Sequence, residues 1–440
     1  MKVSGPIMNL QNAVFNSSKI NTSLNFGFLG LGMGGNSIAA ACAEVSTNIQ
    51  NKKYPYSAIL VNTNQIDLDK IEVDNPKTSK LLIGNGKGAG RNIELGEKMY
   101  VENSEKVSEK IKEQFKDTDF LWIVAGLGGG TGTGSIIEAI RTAMTSGFAK
   151  RFGLILTLPR KNEGATVLGN ALQRLQQINK AMAGLGSIIL VDNQKLFDHF
   201  TETKSDATLL SEYLTFANKF VAETLHELNV VTASYKPTAE NHFDSSEFEN
   251  LIKTPGVLHF AKFSKTTSDI AVTTSADQVS SFSNNIVEGV LSDGYDLTKT
   301  SRLAVSILAN ESSSDRLFNF AFATAIETEI NQLAPFANEK PIAYYNYKYQ
   351  NVKDVYFYAV FAGLQLPSGV TDLVKETMRL KESQQQNSSP SEDIFAGLNL
   401  DKKNETPVEQ SFDDLFGNNT TTDKQDEPVQ EDPFSLLFPK

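Results

Sequence analysis

Residues 126–135 read G-L-G-G-G-T-G-T-G-S, and six of these ten residues are glycine. An apolar run, Phe120–Ala125, precedes this glycine-rich loop, and an amphipathic segment, Ile136–Met144, follows it. The order is therefore buried strand, loop and helix. Because glycine lacks a Cβ atom, several backbone N–H groups can converge on a phosphate at the start of the helix. A turn without a ligand is the alternative, but so much glycine destabilises a fold unless something must approach the backbone closely.

Further glycine-rich loops occur elsewhere in the first half of the chain. The loop Gly30–Asn36 follows a predicted strand, Leu24–Leu29, and precedes a predicted helix over residues 37–50. A third loop is Gly84–Gly90. Strands that alternate with helices predict an α/β fold with a parallel sheet, which binds its ligand at the carboxyl ends of the strands. Several loops that each present backbone amides suit a triphosphate held from many sides.

The spacing G-x-G-x-x-G at residues 30–35 also fits the dinucleotide fingerprint, so a nicotinamide-dependent oxidoreductase is an alternative. That fingerprint expects an acidic residue at the end of the next strand. The sequence there is Asn62-Thr63-Asn64, which contains no acid. A P-loop is excluded as well, because Gly88 follows Lys87 where a serine or threonine should hold magnesium.

Composition narrows the class of protein. The chain has 440 residues, enough for two or three domains, and one cysteine, Cys42, which fits a reducing cytoplasm. We expect a cytoplasmic protein without a membrane span, since no apolar run is long enough to cross a bilayer. The net charge is −11, of which the segment 381–440 carries −8 (13 acids, five lysines). With no basic patch, direct binding of nucleic acid is not favoured. The four histidines lie far apart and identify no metal ligands.

The chain divides into five predicted regions. An N-terminal arm (1–23) precedes a nucleotide-binding domain (24–206), and a long buried helix (207–230) leads to a smaller α+β domain (231–380), in which Asp315–Leu333 is predicted as one helix. The acidic tail (381–440) is predicted to be disordered. Its acidic pairs stand beside bulky apolar residues, a pattern typical of peptides that dock on a partner protein.

The motif G-G-G-T-G-T-G at Gly128–Gly134 resembles the signature of the tubulin/FtsZ family of polymerising GTPases. The resemblance covers roughly residues 24–370, and the smaller motifs follow in the order of the family. It implies the family's fold: a parallel-sheet GTPase domain, a long central helix and a smaller α+β domain. It also implies that the ligands are GTP or GDP with Mg²⁺.

The resemblance places a set of residues around the nucleotide. Glu163 matches the residue on the ribose, and Asn193 and Asn218 match the two asparagines that read guanine. An amide side chain offers both a donor and an acceptor, as the mixed edge of guanine requires. The positions implied are Gly32, Gly34, Gly35, Asn36, Asn64, Gly88, Ala89, Gly90, Gly128, Gly129, Gly130, Thr131, Gly132, Thr133, Gly134, Pro159, Glu163, Asn193, Tyr213 and Asn218.

Four positions depart from the family pattern. Asn64 stands where the family has an aspartate, and Val167 stands where the division protein has an arginine. Leu214 occupies the position of the aromatic residue that stacks on guanine, so Tyr213 or Phe216 would have to substitute for it. His242 stands where the family has an asparagine before the acidic loop.

The family completes its active site with acids from the next subunit in the polymer. The matching residues are Asp244 and Glu247, three apart at a predicted helix start, with Glu249 as a substitute. They would orient the water that attacks the γ-phosphate. Taken without the resemblance, Asp244 would be an ordinary helix N-cap.

The departures make the chain more similar to the plasmid and phage tubulins (TubZ-like) than to the division protein. Those relatives form cytoplasmic filaments that position DNA indirectly, through a DNA-bound adaptor protein that engages the filament subunit's tail. The partners implied are therefore further copies of the chain and an adaptor on the acidic tail. The alternatives are an FtsZ-like GTPase of the cell-division ring and a nucleotide-binding scaffold that does not hydrolyse GTP.

Overall fold

The computed structural model of the protein describes residues 21–47, 53–203, 210–238, 243–268, 270, 276–348 and 353–387. The strands are β1 (Phe26–Leu31), β2 (Ser57–Asn62), β3 (Thr78–Leu82), β4 (Phe120–Gly126), β5 (Phe152–Leu158), β6 (Ser187–Asp192), β7 (Lys236–Pro237), β8 (Gly256–Thr266), β9 (Arg302–Asn310), β10 (Ile342–Tyr347) and β11 (Asp354–Leu364). The α-helices are α1 (Gly32–Ala43), α2 (Gln65–Asp69), α3 (Ile93–Val101), α4 (Ser104–Gln114), α5 (Thr131–Ala143), α6 (Ala165–Ala181), α7 (Asn193–Thr203), α8 (Leu210–Ser234), α9 (Ser245–Lys253), α10 (Ala276–Val287), α11 (Glu311–Leu317), α12 (Phe320–Leu333) and α13 (Ser368–Asn387).

All of these strands belong to one sheet, in the order β3-β2-β1-β4-β5-β6-β8-β11-β9-β10-β7. Neighbours from β3 to β8 run parallel, whereas β11 is antiparallel to both β8 and β9. The predicted parallel α/β sheet is therefore confirmed for the first half. The two halves of the sheet meet at β6 and β8 through three residue pairs, Ser187 with Gly256 to Ile189 with Leu258.

The core forms two layers, one on each face of the sheet. Side chains alternate along a strand, so Leu29 of β1 packs on one face and Phe28 on the other. The face of Phe28 is covered by α1, α8 and α9, and the face of Leu29 by α4, α5, α6 and α12. Burial on both faces explains why the strands read as continuous apolar runs.

Helix α8 runs antiparallel to β1, along the full length of the strand. Near its start, the Tyr213 hydroxyl donates to the carbonyl of Asn193, which follows the end of β6. Near its end, the Asn229 side chain donates to the Leu24 carbonyl and accepts from the Leu24 N–H, just before β1 begins. With 25 residues, α8 is about 37 Å long. It joins the edge where parallel strands end, the carboxyl edge, to the edge where they begin, the amino edge.

Several predicted boundaries were wrong. Helix α1 begins at Gly32 rather than Ser37, because the first glycine loop is itself the first turn of the helix. The segment Asp315–Leu333 is interrupted before Phe320, where the Asn319 side chain accepts from the Phe322 N–H and caps a new helix. Helix α8 continues to Ser234, four residues beyond its predicted end.

Helix α13 was not predicted, and it enters the predicted tail. It continues to Asn387, past the expected boundary at residue 381, through glutamate and glutamine residues that favour helix. The rest of the tail, and residues 1–20 of the arm, lie outside the described residues. None of the helices in the described ranges is both long and apolar enough to cross a membrane.

Candidate functional site

The predicted nucleotide-binding loops meet at the carboxyl edge of the sheet. Strands β1, β2, β4, β5 and β6 are parallel, so their ends and the loops that follow lie side by side. Ligands bind at this edge in open α/β sheets. Helix α5 begins at Thr131, inside the glycine motif, so the N–H groups of its first turn have no helical carbonyl to bind. These N–H groups form an electropositive end suited to phosphate.

Some of the glycines are required by the packing of these loops against each other. A Cβ atom on Gly35 would stand 2.2 Å from the Val124 carbonyl oxygen, and one on Gly134 would stand 2.4 Å from that of Ile93. Gly32 has a φ of +68°, and its Cβ would lie 2.8 Å from the Gly132 nitrogen. No side chain fits at these distances, so these glycines hold α1, α3 and α5 together.

Gly129 differs from these glycines. A Cβ atom built on it would have no neighbour within 4 Å, and its φ lies outside the left-handed range. Gly90 and Gly164 are equally open, although their φ values of +57° and +92° favour glycine. Neither packing nor backbone conformation therefore requires a glycine at position 129. A phosphate that approaches the backbone at this point would require one. The site fits an anionic ligand at this point.

Hydroxyl and amide side chains fix the loops from within. The Thr133 hydroxyl accepts from the Gly128 N–H at 2.8 Å, and the Thr63 and Thr131 hydroxyls lie 2.6 Å apart. The fully buried Asn36 side chain donates from Nδ2 to the Val61 carbonyl at 3.1 Å. Asn36 and Thr133 therefore hold the loops in place through hydrogen bonds in the protein interior.

The third glycine loop is brought between the other two. The Gly88 N–H donates to the Thr63 carbonyl, and the Gly130 N–H donates to the Gly90 carbonyl, both at 2.9 Å. Asn64 lies beside this loop and accepts from the Asp67 N–H, so it caps α2. Ala89 is buried between the loops. The structure thus assembles three glycine loops that are distant in sequence.

The residues predicted for ribose and guanine lie around the start of α7 and α8. The Glu163 carboxylate accepts from the Arg160 N–H at 2.8 Å, which closes the turn after Pro159. Asn218 lines a cavity of about 760 Å³ between α1 and α8, together with Met33 of the first glycine loop and Thr215. Asn193 is the first residue of α7, directly after β6, and the Asp192 carboxylate before it accepts from the Gln194 N–H.

The expectation that Tyr213 stacks on guanine does not agree with its position. Its ring is 5% exposed and packs edge-on against Phe197, at 5.2 Å between centroids, and against Phe200. Burial raises the pKa of Tyr213 to about 12, so its hydroxyl stays protonated and donates to the Asn193 carbonyl at 3.0 Å. Tyr213 thus holds the Asn193 loop. Leu214 is the exposed neighbour, with 56% of its surface accessible.

The two predicted catalytic acids lie at the amino edge. Asp244 caps α9 by accepting from the N–H groups of Ser246 and Glu247, and the Glu247 carboxylate accepts from the Asp244 N–H at 3.0 Å. This capping box holds both exposed carboxylates in one orientation. Helix α9 ends beside the start of β6, where the Ser187 hydroxyl donates to the Ile252 carbonyl. His242, the departure next to this loop, lies outside the described residues.

The two halves of the predicted active site are therefore far apart within one chain. Helix α8 leads from the Asn193 loop at the carboxyl edge to the segment before Asp244 at the amino edge, and it is about 37 Å long. A carboxylate side chain reaches only a few ångströms. Within one chain, Asp244 and Glu247 therefore cannot reach the glycine loops.

Comparison with known proteins agrees with this arrangement. The tubulin-like protein TubZ of Bacillus cereus is 42% identical over 379 residues, which cover 84% of this chain and 86% of that protein. The chain belongs to the TubZ family. Residues 26–201 match the GTPase domain of the tubulin/FtsZ family, and residues 241–368 match the C-terminal domain of TubZ. The protein thus carries a GTPase domain. The match in the C-terminal domain favours TubZ over the division-ring protein.

Solved TubZ structures share the fold. A GTPγS-form protofilament of TubZ from Bacillus thuringiensis serovar israelensis has a TM-score of 0.70 and 19% identity, covering 85% of this chain and 96% of that chain. A TubZ of type III plasmid segregation has a TM-score of 0.68 and 18% identity, covering 86% and 99%. The predicted tubulin/FtsZ-like fold is therefore confirmed.

Three residues of this TubZ-family site escaped the sequence prediction. Thr63 contacts Thr131, and Gly96 of α3 packs so closely that its Cβ would lie 2.3 Å from the Gly130 carbonyl oxygen. Val167 packs under Gly128 and fills the place where the division protein has an arginine. The sequence signal that could have identified Gly96 is a glycine inside an otherwise helical pattern.

Proposed function

We propose that this protein assembles head-to-tail into GTP-dependent filaments, and that the amino edge of each subunit completes the hydrolytic site on the carboxyl edge of its neighbour. The observation that carries this proposal is that the glycine loops and the Asp244–Glu247 capping box lie at opposite edges of one sheet, which are connected by α8, a helix about 37 Å long. The name of the B. thuringiensis relative, a GTPγS-form protofilament, supports the same assembly.

In this proposal the carboxyl edge binds the nucleotide. The first-turn N–H groups of α5 and the open backbone at Gly129 hold the phosphates, Glu163 faces the ribose, and Asn193 and Asn218 read guanine. The described residues contain no group of three acidic, histidine or cysteine side chains that could hold a metal. Mg²⁺ would therefore bind mainly through phosphate oxygens and water, as this ion commonly does.

Hydrolysis depends on the acids that the neighbouring subunit brings to this edge. In the capping box the hydrogen bonds engage Oδ1 of Asp244 and Oε2 of Glu247. The second oxygen of each carboxylate points the charge outward to orient the attacking water. Phosphoryl transfer needs mainly positioning and charge stabilisation, so hydrolysis is coupled to assembly.

Exposed apolar side chains at both edges suit such a contact. Met33 and Ile66 lie in or after the loops of the carboxyl edge, with 42% and 65% of their surface exposed. Phe336 is 79% exposed in the segment that pairs with the start of β9, beside Glu247. These side chains would be buried when one carboxyl edge meets one amino edge.

The biological role we propose is segregation of plasmid or phage DNA by cytoplasmic filaments, with an adaptor protein docked on the acidic tail. The plasmid-segregation relative and the acidic-apolar repeats of residues 388–440 support this role. Deletion of residues 390–440 should leave GTP turnover unchanged and raise the rate of plasmid loss. Normal plasmid retention after the deletion would contradict the role of the tail.

The catalytic proposal is tested with Glu247→Gln, which keeps an acceptor for the Asp244 N–H but removes the negative charge. We expect normal GTP binding and normal light scattering with GTP, and phosphate release slower by at least about 100-fold. The matched control is Glu249→Gln on the same helix, whose carboxylate pairs with Lys253 at 2.5 Å. Wild-type turnover by Glu247→Gln, or scattering that does not depend on the nucleotide, would contradict the proposal.

A further inference from the structure

The chain enters the capping box through Phe243, and a buried tyrosine holds this residue. Tyr345 lies on β10 and is 1% exposed. Its hydroxyl donates to the Phe243 carbonyl at 2.6 Å and accepts from the Phe243 N–H at 3.2 Å. One side chain, 102 residues away in sequence, therefore satisfies both polar groups of the residue just before Asp244.

The Phe243 ring reinforces this attachment. It stands edge-on to the Phe248 ring, with 6.2 Å between centroids and an interplanar angle of 88°. Phe243 precedes the N-cap and Phe248 is the fourth residue of the helix, so the pair forms a hydrophobic staple. The staple sets the angle at which the chain enters α9, and Tyr345 anchors the staple to the sheet.

Electrostatics keeps the Tyr345 hydroxyl in the required state. Burial raises the pKa of Tyr345 above its ordinary value, and the nearby charges of Glu247 and Asp244 raise it further, against the opposing effect of the Phe243 hydrogen bond. The phenol is therefore neutral at physiological pH and remains a donor.

We propose that Tyr345 is a positioning residue for GTP hydrolysis, which acts by fixing the Phe243 peptide and thereby the orientation of Asp244 and Glu247. This inference rests on the proposed function of those two acids. The hydrogen bonds of the capping box connect Asp244, Ser246 and Glu247 only to one another. The Ser187 hydroxyl and the buried side chains of α9 hold the last turns of the helix, whereas Tyr345 holds the residue that enters its first turn, where the two acids stand.

The chain offers a matched control on the same strand. Tyr347 is two residues further along β10, on the same face, and is 3% exposed. Its hydroxyl also donates to a backbone carbonyl, that of Asp354, at 2.6 Å. Tyr347→Phe removes an equally short hydrogen bond from a buried tyrosine without touching the capping box.

The first experiment compares Tyr345→Phe and Tyr347→Phe in amide hydrogen exchange of the GDP-bound monomer, which requires no assembly. We expect faster exchange over residues 243–248 in Tyr345→Phe, since the Phe243 peptide loses both partners. In Tyr347→Phe these amides should exchange as in the wild type. Unchanged exchange in Tyr345→Phe would overturn the inference.

The second experiment measures phosphate release per assembled subunit, together with GTP affinity and melting temperature. For Tyr345→Phe we expect turnover to fall by about 10- to 100-fold at unchanged GTP affinity, because a small misplacement of a catalytic group is costly. Tyr347→Phe should have the same melting temperature as Tyr345→Phe and should keep normal turnover. An equal loss of turnover in the two variants would mean a general structural effect and would overturn the inference.

Failure of this inference differs from failure of the proposed function. If Glu247→Gln abolishes turnover while Tyr345→Phe keeps it, the acids are catalytic and Tyr345 does not position them. If Glu247→Gln retains wild-type turnover, the acids are not catalytic, and the inference falls with the proposed function.

Discussion

The carboxyl and amino edges of this protein present different chemical groups. At the carboxyl edge, backbone atoms of three glycine loops form the site, and side chains such as Thr133 and Asn36 only support them. At the amino edge, the groups presented are two carboxylate side chains, which the first turn of α9 holds in place. A phosphate needs many weak donors around it, whereas an attacking water needs one or two charges at a defined angle. In the proposed hydrolysis, each edge is suited to one of these two tasks.

The largest effect is expected from a substitution that impairs only the carboxyl edge. In Gly129→Val the side chain enters the open space where we propose that the backbone binds phosphate, so hydrogen bonds to a charged group would be lost. GTP affinity should fall by about 100-fold or more, since each such bond contributes about 1.5–3 kcal/mol. Isothermal titration with GTP measures the change, and the melting temperature of the ligand-free protein should stay the same.

Two other glycines provide the controls for this variant. Gly169→Val on α6 also adds a side chain in open space, and it should leave GTP affinity unchanged. Gly35→Ala should lower the melting temperature, because its Cβ would meet the Val124 carbonyl oxygen at 2.2 Å. If Gly129→Val binds GTP normally, backbone access at this point is not part of the site.

A smaller effect is expected at the contact between the edges. Phe336→Asp places a charge on an exposed side chain just before the segment that pairs with the start of β9, and we expect this side chain to be buried in the filament. The critical concentration for assembly should rise about tenfold, since burial of a phenylalanine contributes about 1.5–3 kcal/mol. Sedimentation of filaments with GTPγS measures it without interference from hydrolysis.

The matched control for this contact is Phe320→Asp. Phe320 is 87% exposed but begins α12, whereas Phe336 follows the end of the same helix. The two positions are therefore at opposite ends of a 14-residue helix, about 21 Å long. Equal changes in critical concentration would place the contact elsewhere.

The last expected effect does not alter the nucleotide site or the contact between subunits, and it concerns α8, which connects the two edges. His226 is fully buried on this helix and its Nδ1 lies 2.8 Å from the Tyr56 hydroxyl oxygen. Burial lowers the pKa of His226 to about 3, from 6.5 in the unfolded chain. The unfolded state therefore binds a proton that the folded state does not, and His226 lowers stability as the pH falls below 6.5.

This sign can be checked by urea unfolding of the wild type and His226→Gln at pH 7.5 and pH 5. The free energy of unfolding of the wild type, relative to the variant, should decrease by about 2 kcal/mol between these pH values. Titrating groups that the two proteins share cancel in this difference. A difference that is the same at both pH values would show that His226 is not held neutral by the fold.

The sequence predicted the local patterns at both edges better than the packing between helices. As predicted, a strand ends at the glycine motif and a helix begins after Asp244, whereas the roles of these residues toward GTP stay predictions. The stacking role expected of Tyr213 did not agree with the structure, because its ring is covered by Phe197 and Phe200. Such burial depends on how α7 packs on α8, which no local pattern records.

What the sequence determined by itself are features that a few consecutive residues can form. Glycine lacks a Cβ atom wherever it stands, continuous apolar runs form strands that are buried on both faces, and D-S-S-E forms a capping box from its own side chains and backbone N–H groups. The tertiary structure decided which glycines serve packing and which face a ligand, since only neighbouring loops distinguish Gly35 from Gly129. It also decided that Tyr345 holds Phe243 and that α8 separates the two edges. These are contacts and distances between residues far apart in the chain, and they exist only once the sheet has brought its strands together.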